Sequence, residues 1–211
     1  MLGQGHGAEI DRHAMVLRLN NSPNKGHEAD VGAKTTVSLI NGWRLHWCGE
    51  RPTCPCWPYG IDVALMAYVW EPFMLEDIKL CRSMHPNALI LAVDKELEVL
   101  ANRIAREYTA RRFEALKDLE EKKRMLAERQ KVKLNFSTGL LGVALSLGLC
   151  QRLSLYGFNR NASQHHFWES ATRHEIPDHD YQSEADFYAE LAMGSSSLGR
   201  YWPLPPTRFV E

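Results

Sequence analysis

NFSTGLLGVALSLGLCQRLSLYGF, residues 135–158, carries the reading of the fold. Ser137 and Thr138 precede an apolar run from Gly139 to Cys150. A Ser or Thr at that place is a helix N-cap signal, because its side-chain oxygen takes up an N–H group that the first turn leaves unpaired. The run is apolar almost all round, which predicts a helix lying between layers of structure and not on a surface. Gly142, Ala144 and Ser146 are small enough for close packing, and Leu153–Gly157 then reads as a short strand ending in glycine. Ser137-Thr138-Gly139 is also a natural anion seat: free N–H groups point outward, the helix dipole favours negative charge, and glycine permits close approach. Simple capping explains the same residues.

Other segments repeat this alternation. Met15–Leu19 reads as a buried strand that stops at a run of turn formers, residues 20–26. Residues 31–40, rich in β-branched side chains, read as a second strand; the apolar stretch Ala64–Trp70 and the short strand Ala88–Val93 follow. From Lys95 to Lys131, apolar residues recur at three and four positions with no Pro or Gly between, which predicts one or two solvated helices. Strand and helix alternate, so the expected fold is α/β, a sandwich with a mostly parallel sheet. Ligands in such folds bind beyond the carboxyl ends of the strands. That directs attention to the loops after Leu19, before Gly139 and after Gly157. Asn20 and Asn21 stand in the first of these, as ligand contacts or as turn formers. The Pro-rich tail, residues 201–211, is expected to lie extended over the surface.

The 211 residues fit one domain, taken as 1–211, and 45% hydrophobic with 24% charged residues excludes a disordered chain, a collagen and a coiled-coil rod. A net charge of −1 gives no overall electrostatic case for a nucleic-acid partner or an anionic membrane. No apolar run reaches the roughly 18–20 residues of a membrane span.

Two clusters carry candidate chemistry. Cys48, Cys54, Cys56 and Cys81 fall close together, with Cys150 apart. A zinc site, a disulfide and plain thiols all fit the cluster, although Cys-x-Cys is not the usual knuckle spacing. Residues 165–184 hold His165, His166, His174 and His179 among several carboxylates. A metal site, acid–base work on an anionic substrate and a polar loop with satisfied histidines all fit that composition. Asp178-His179-Asp180 imitates an Asp-x-Asp metal signature, but no apolar strand leads into it.

The order of these segments resembles the eukaryotic sialyltransferase family. Residues 7–36, GAEIDRHAMVLRLNNSPNKGHEADVGAKTT, look like most of that family's large motif, and residues 136–158 look like its small motif. HFWE at 166–169 looks like the third motif, and His179 to Glu184 matches the very small motif, H-x-x-x-x-E. The loop LHWCGERPTCPCWPYG, residues 45–60, is similar to the sialyltransferase-like branch of plants and green algae.

The resemblance implies a single-domain nucleotide-sugar-transferase variant of the α/β/α sandwich. It implies an inverting enzyme that moves an acidic sugar, sialic acid or a Kdo-like sugar, from a CMP-sugar donor to a glycan hydroxyl. It implies no metal, no other cofactor and no nucleic-acid partner. Carried over by position, His179 is the general base and His166 bonds the leaving phosphate. Asn20, Ser137, Thr138, Gly139 and His165 bind the donor, and Glu184 supports the motif. The chemistry is coherent: one phosphate leaves as a modest anion that a histidine and a helix N-terminus can stabilise, while a neutral imidazole takes the acceptor proton. The family's large motif begins upstream of Met1, with a Cys that pairs with the position of Cys150. The resemblance therefore implies a chain lacking its N-terminal strand, stem and membrane anchor. It leaves Cys150 a free thiol and leads us to expect poor folding of residues 1–211 alone. A Golgi, type II membrane protein is implied for the full-length form, touching the membrane only through that anchor. A catalytically inactive member or CMP-binding scaffold domain, and a metal-dependent hydrolase built on His165, His166, Glu169 and His179, are the alternatives.

Overall fold

Four short apolar segments in the first half of the chain pair side by side, all parallel. The computed structural model describes residues 1–49, 56–131, 135–158, 166–168, 179–194 and 207–210. The chain divides into two units, Met1–Asp94 and Lys95–Glu211.

The first unit runs α1 (Gly7–Asp11), β1 (Leu17–Leu19), α2 (Glu28–Val31), β2 (Val37–Asn41), α3 (Gly42–Gly49), β3 (Ala64–Tyr68), α4 (Phe73–Met84) and β4 (Ile90–Ala92). Its sheet order is β1-β2-β3-β4, with Leu39 beside Leu19 and Met66. Consecutive Ser38, Leu39 and Ile40 are all buried, as expected for a parallel strand covered on both faces. Ile40, Leu45, Cys56, Trp57, Leu65, Ala67, Cys81 and Ile90 form one core cluster.

The second strand is shorter than the β-branched run predicted. Val31 closes α2, and Gly32 stops it at φ +73°, where a Cβ would lie 2.3 Å from the Asp11 carboxylate. Backbone groups of the residues from Val31 to Lys34 bond to side chains instead of to a ladder. The Arg18 guanidinium donates to the carbonyls of Val31 (2.8 Å), Gly32 (3.0 Å) and Lys34 (2.9 Å). The Asp11 carboxylate accepts from the N–H groups of Ala33 (3.0 Å) and Lys34 (2.9 Å). Pairing therefore starts at Val37.

Two helices lie where the sequence predicted a loop or nothing. Asn41 opens α3, its side chain accepting from the Trp43 N–H at 2.9 Å. In α4 only Met74 and Cys81 are buried, while Phe73, Leu75, Leu80 and Met84 are exposed. Its apolar residues do not mark one face, which is why periodicity missed it.

Cys56 and Cys81 form a disulfide. The Cys54 position lies outside the described residues, as does the Cys48 side chain. The bridge spans 25 residues of sequence, and loop-closure entropy for such a span is worth ~3.5 kcal/mol. Replacing both cysteines by serine is expected to lower the denaturant midpoint, with a larger m-value because the unfolded chain, no longer cross-linked, is less compact. A loss under about 1 kcal/mol would mean that the loop is held by its packing alone.

The second unit runs α5 (Lys95–Ala115), α6 (Leu119–Lys131), α7 (Thr138–Leu149), β5 (Leu153–Tyr156), α8 (Tyr181–Ala192) and β6 (Thr207–Val210). The long helical signal is two helices, the second capped by Asp118, which accepts from the Glu120 N–H at 2.9 Å. α7 buries Leu140, Leu141, Gly142, Val143, Ala144, Ser146 and Leu147, more than one face, as its all-round apolarity predicts. Cys150 at its end is a free thiol, half-buried, and burial pushes its pKa up. The tail does not simply drape over the surface. Residues 207–210 pair in parallel with β5, Leu153 beside Thr207 and Tyr156 beside Val210. Thr-Arg-Phe-Val is a strand-forming composition, which the neighbouring prolines obscured. Among the described residues no helix is long and apolar enough to cross a membrane.

Candidate functional site

Ser137 caps α7 from an extended conformation, φ −76° and ψ 161°, and its Oγ accepts from the Leu140 N–H at 3.1 Å. Of the first donors of this helix, the Ser137 N–H itself goes to Glu184 Oε1 at 2.7 Å. The Ser137 hydroxyl donates to Glu184 Oε2 at 2.5 Å. The N–H groups of Thr138 and Gly139 have no intrahelical acceptor by helix geometry. At Gly139 a Cβ would lie 3.1 Å from the Phe158 ring and 3.1 Å from Ser137 Oγ, so the position has little room for a side chain.

Glu184 is 4% exposed. It comes from the first turn of α8, a helix that the composition of residues 165–184 does not announce. The helix signal was present: Asp180 accepts from the Ser183 N–H (3.1 Å) and from the Ser183 hydroxyl (2.6 Å). Behind that cap, Ala185, Phe187, Tyr188 and Leu191 are buried at helical spacing. Asp180 thus serves as an N-cap, and Arg112 of α5 pairs with it at 2.8 Å. Tyr108 and Arg111 of α5 hold Glu190 further along α8, and the Tyr108 and Phe187 rings meet edge to face at 5.2 Å.

Burial raises the Glu184 carboxyl above its ordinary range. The two Ser137 donors, the nearby His179 and the Tyr188 hydroxyl offset part of that. Tyr188, one turn on, donates to Glu184 Oε2 at 3.3 Å, and burial beside that carboxylate drives its phenol well up. Tyr188 was not singled out from the sequence; its place four residues after Glu184, on the same helix face, is the signal that could have found it.

His179 lies two residues before α8. Its Nδ1 is 2.9 Å from the backbone carbonyl of Asn135, and its ring meets Tyr181 edge to face at 5.5 Å. A carbonyl oxygen can only accept, so the bond requires the proton on Nδ1 and leaves the Nε2 lone pair as the basic end of the neutral ring. Two hydrogen-bonded groups thus flank the start of α7: His179 with the Asn135 carbonyl, and Ser137 with Glu184 and Tyr188.

His166 is half-buried, its ring stacked on Trp168 at 4.4 Å. His165 and Glu169 lie outside the described residues. Asn20 belongs to the first unit, at the carboxyl end of β1. Its backbone is left-handed, φ 54°, its N–H donates to the Leu39 carbonyl at 2.7 Å, and its Oδ1 accepts from the Asn41 N–H at 3.0 Å. With the oxygen engaged, the side-chain amide has its two N–H donors to offer.

The sequence matches glycosyltransferase family 29 (sialyltransferase) over residues 1–195. It is 39% identical to sialyltransferase-like protein 1 of Oryza sativa subsp. indica, over 91% of this chain and 49% of that protein. It is 34% identical to a beta-1,6-galactosyltransferase of Arabidopsis thaliana, over 90% of this chain and 48% of that protein. The chain thus spans about half the length of these relatives. Among solved structures, a mammalian sialyltransferase in complex with Gal-beta-1-3GalNAc-ortho-nitrophenol shares the fold. The TM-score is 0.61 at 22% identity, over 98% of this chain and 63% of that one.

Proposed function

The chain belongs to glycosyltransferase family 29, the sialyltransferase family, and from that premise we propose that it is the core of an inverting, metal-independent glycosyltransferase using a CMP-activated acidic sugar. The observation that carries the reading is the His179 bond to the Asn135 carbonyl beside the N-terminus of α7. It orients a base at a residue two positions before the cap of the anion seat.

In this mechanism Nε2 of His179 takes the proton of a glycan hydroxyl as its oxygen attacks the anomeric carbon. The bond from that carbon to the phosphate oxygen breaks, and CMP departs with the electron pair. The N–H groups of Thr138 and Gly139, the α7 dipole and His166 receive the phosphate charge, and Asn20 contacts the nucleotide. Attack opposite the leaving group inverts the anomeric configuration. Glu184 touches no reacting atom; it is a positioning residue that ties the base's helix to the cap of the anion seat. In a longer form of the protein we place this unit in the Golgi, as a type II membrane protein.

A second reading has a specific observation behind it. The Arabidopsis relative is a beta-1,6-galactosyltransferase, so the same scaffold here would take a neutral galactosyl donor. A donor screen separates the two: CMP-sialic acid, CMP-Kdo and UDP-galactose, each with and without EDTA, reading nucleotide release and product anomer. The expected result is CMP release from an acidic donor, unchanged by EDTA. UDP release from UDP-galactose would assign the second reading. A strict need for manganese or magnesium would overturn metal independence, and nucleotide binding without transfer would assign an inactive or scaffold member.

A further inference from the structure

Asn20 and Cys56 are the two non-glycine residues with positive φ among the described residues, at 54° and 57°. Such conformations cost energy and persist where surrounding structure holds them. Here a short physical chain joins them. The disulfide ties Cys56 to Cys81 of α4, and Trp57 beside it is 2% exposed, in edge-to-face contact with His85 at 5.3 Å. A turn follows, the Gly60 N–H donating to the Trp57 carbonyl at 3.3 Å. Between them Tyr59 reaches across to the turn after β1. Its hydroxyl donates to the Ser22 carbonyl at 2.8 Å, which leaves Tyr59 Oη to accept from the Ser22 hydroxyl at 2.9 Å. One phenol thus engages both the carbonyl and the hydroxyl of Ser22, two residues beyond Asn20. On the other side, Asn20 is pinned by the Leu39 carbonyl and the Asn41 N–H.

We propose that Tyr59 is a positioning residue for the donor nucleotide: held by the Cys56–Cys81 bridge and the buried Trp57, it locks the Asn20–Ser22 turn so that the Asn20 amide is presented to the nucleotide. The proposal rests on the reading of Asn20 as a nucleotide contact. Tyr59 acts through the turn and not by touching the ligand. Its loss is therefore felt as weaker binding, with the chemical step untouched.

The test is a double-mutant cycle of Tyr59→Phe and Asn20→Ala, with CMP and UDP each titrated by calorimetry into the full chain. Tyr59→Phe keeps the ring and removes both hydrogen bonds. It is expected to weaken the bound nucleotide about 3- to 10-fold, raising the donor KM more than it lowers kcat. In the Asn20→Ala background the same change is expected to add nothing, because the group being positioned is gone. Unchanged affinity in Tyr59→Phe, or fully additive losses in the double variant, would overturn the positioning role while leaving the Asn20 contact standing. Unchanged affinity in Asn20→Ala, or no binding of either nucleotide to the parent chain, would overturn the Asn20 contact itself and the proposal with it.

Discussion

His179→Ala is expected to lower glycosyl transfer by about 10²–10⁴-fold while leaving nucleotide affinity nearly intact. The hydroxyl of a glycan is a poor nucleophile until its proton is leaving, and in the proposed mechanism the imidazole Nε2 is needed only as the new bond forms. The protein has arranged for Nε2, and not Nδ1, to be the basic atom, because Nδ1 is held at 2.9 Å by the Asn135 carbonyl. An interaction made only in the transition state appears in kcat and not in ground-state binding. Turnover with saturating acceptor, measured beside a nucleotide titration, checks both halves. Full activity in His179→Ala would remove it from the base role; an equal loss of nucleotide affinity would move it to the donor side. His166→Ala, by contrast, is expected to weaken nucleotide binding as well as turnover.

The second large effect is on stability and belongs to Glu184. Its carboxylate satisfies the Ser137 N–H, the Ser137 hydroxyl and the Tyr188 hydroxyl inside the protein. Glu184→Ala leaves these donors buried without it and opens a void, a cost of about 3–5 kcal/mol, a large part of the margin of a typical domain. Glu184→Gln keeps the volume and an acceptor for the Ser137 N–H, and is expected to cost much less. The pH dependence has a definite sign. Burial raises the folded-state pKa of Glu184, so its favourable contribution is full below the ordinary carboxyl value and is lost as the pH rises through the raised folded value. Denaturant unfolding of both variants at acidic and neutral pH measures this. The parent should lose stability relative to Glu184→Gln as the pH rises. A Glu184→Ala protein within about 1 kcal/mol of the parent would show that the network does not hold α7 to α8.

The clearest parts of the fold were legible because local chemistry and tertiary packing ask for the same thing. Ser137 before an apolar run announces the cap of α7 whatever surrounds it, and the all-round apolarity of that run demands burial. β1, β4 and β5 are short apolar segments, and each reads locally as a strand. Where one side chain takes over the backbone bonds of another segment, the reading fails. Residues 32–34 fall inside the run that reads as a strand, yet Arg18 and Asp11, from β1 and α1, bond to their carbonyl and N–H groups. α4 was hidden because half of its apolar residues face solvent, and α8 because its capping aspartate sits in a stretch whose charges read as a loop.

Sequence by itself determined the alternation of strand and helix, the cap of α7 and the family, because each is written in neighbouring residues or in the order of motifs. It singled out His179, Ser137 and Glu184 as residue types at the right spacing. Tertiary structure alone decided which nitrogen of His179 is basic, since the deciding carbonyl is 44 positions away. It also decided that Glu184 is a buried support and not an exposed acid, since that depends on Ser137, 47 positions away. The pairing of Cys56 with Cys81 was decided the same way, by the fold bringing α4 to the Cys56 loop. Protonation, burial and disulfide pairing depend on what lies across space, and no local pattern of residues encodes that.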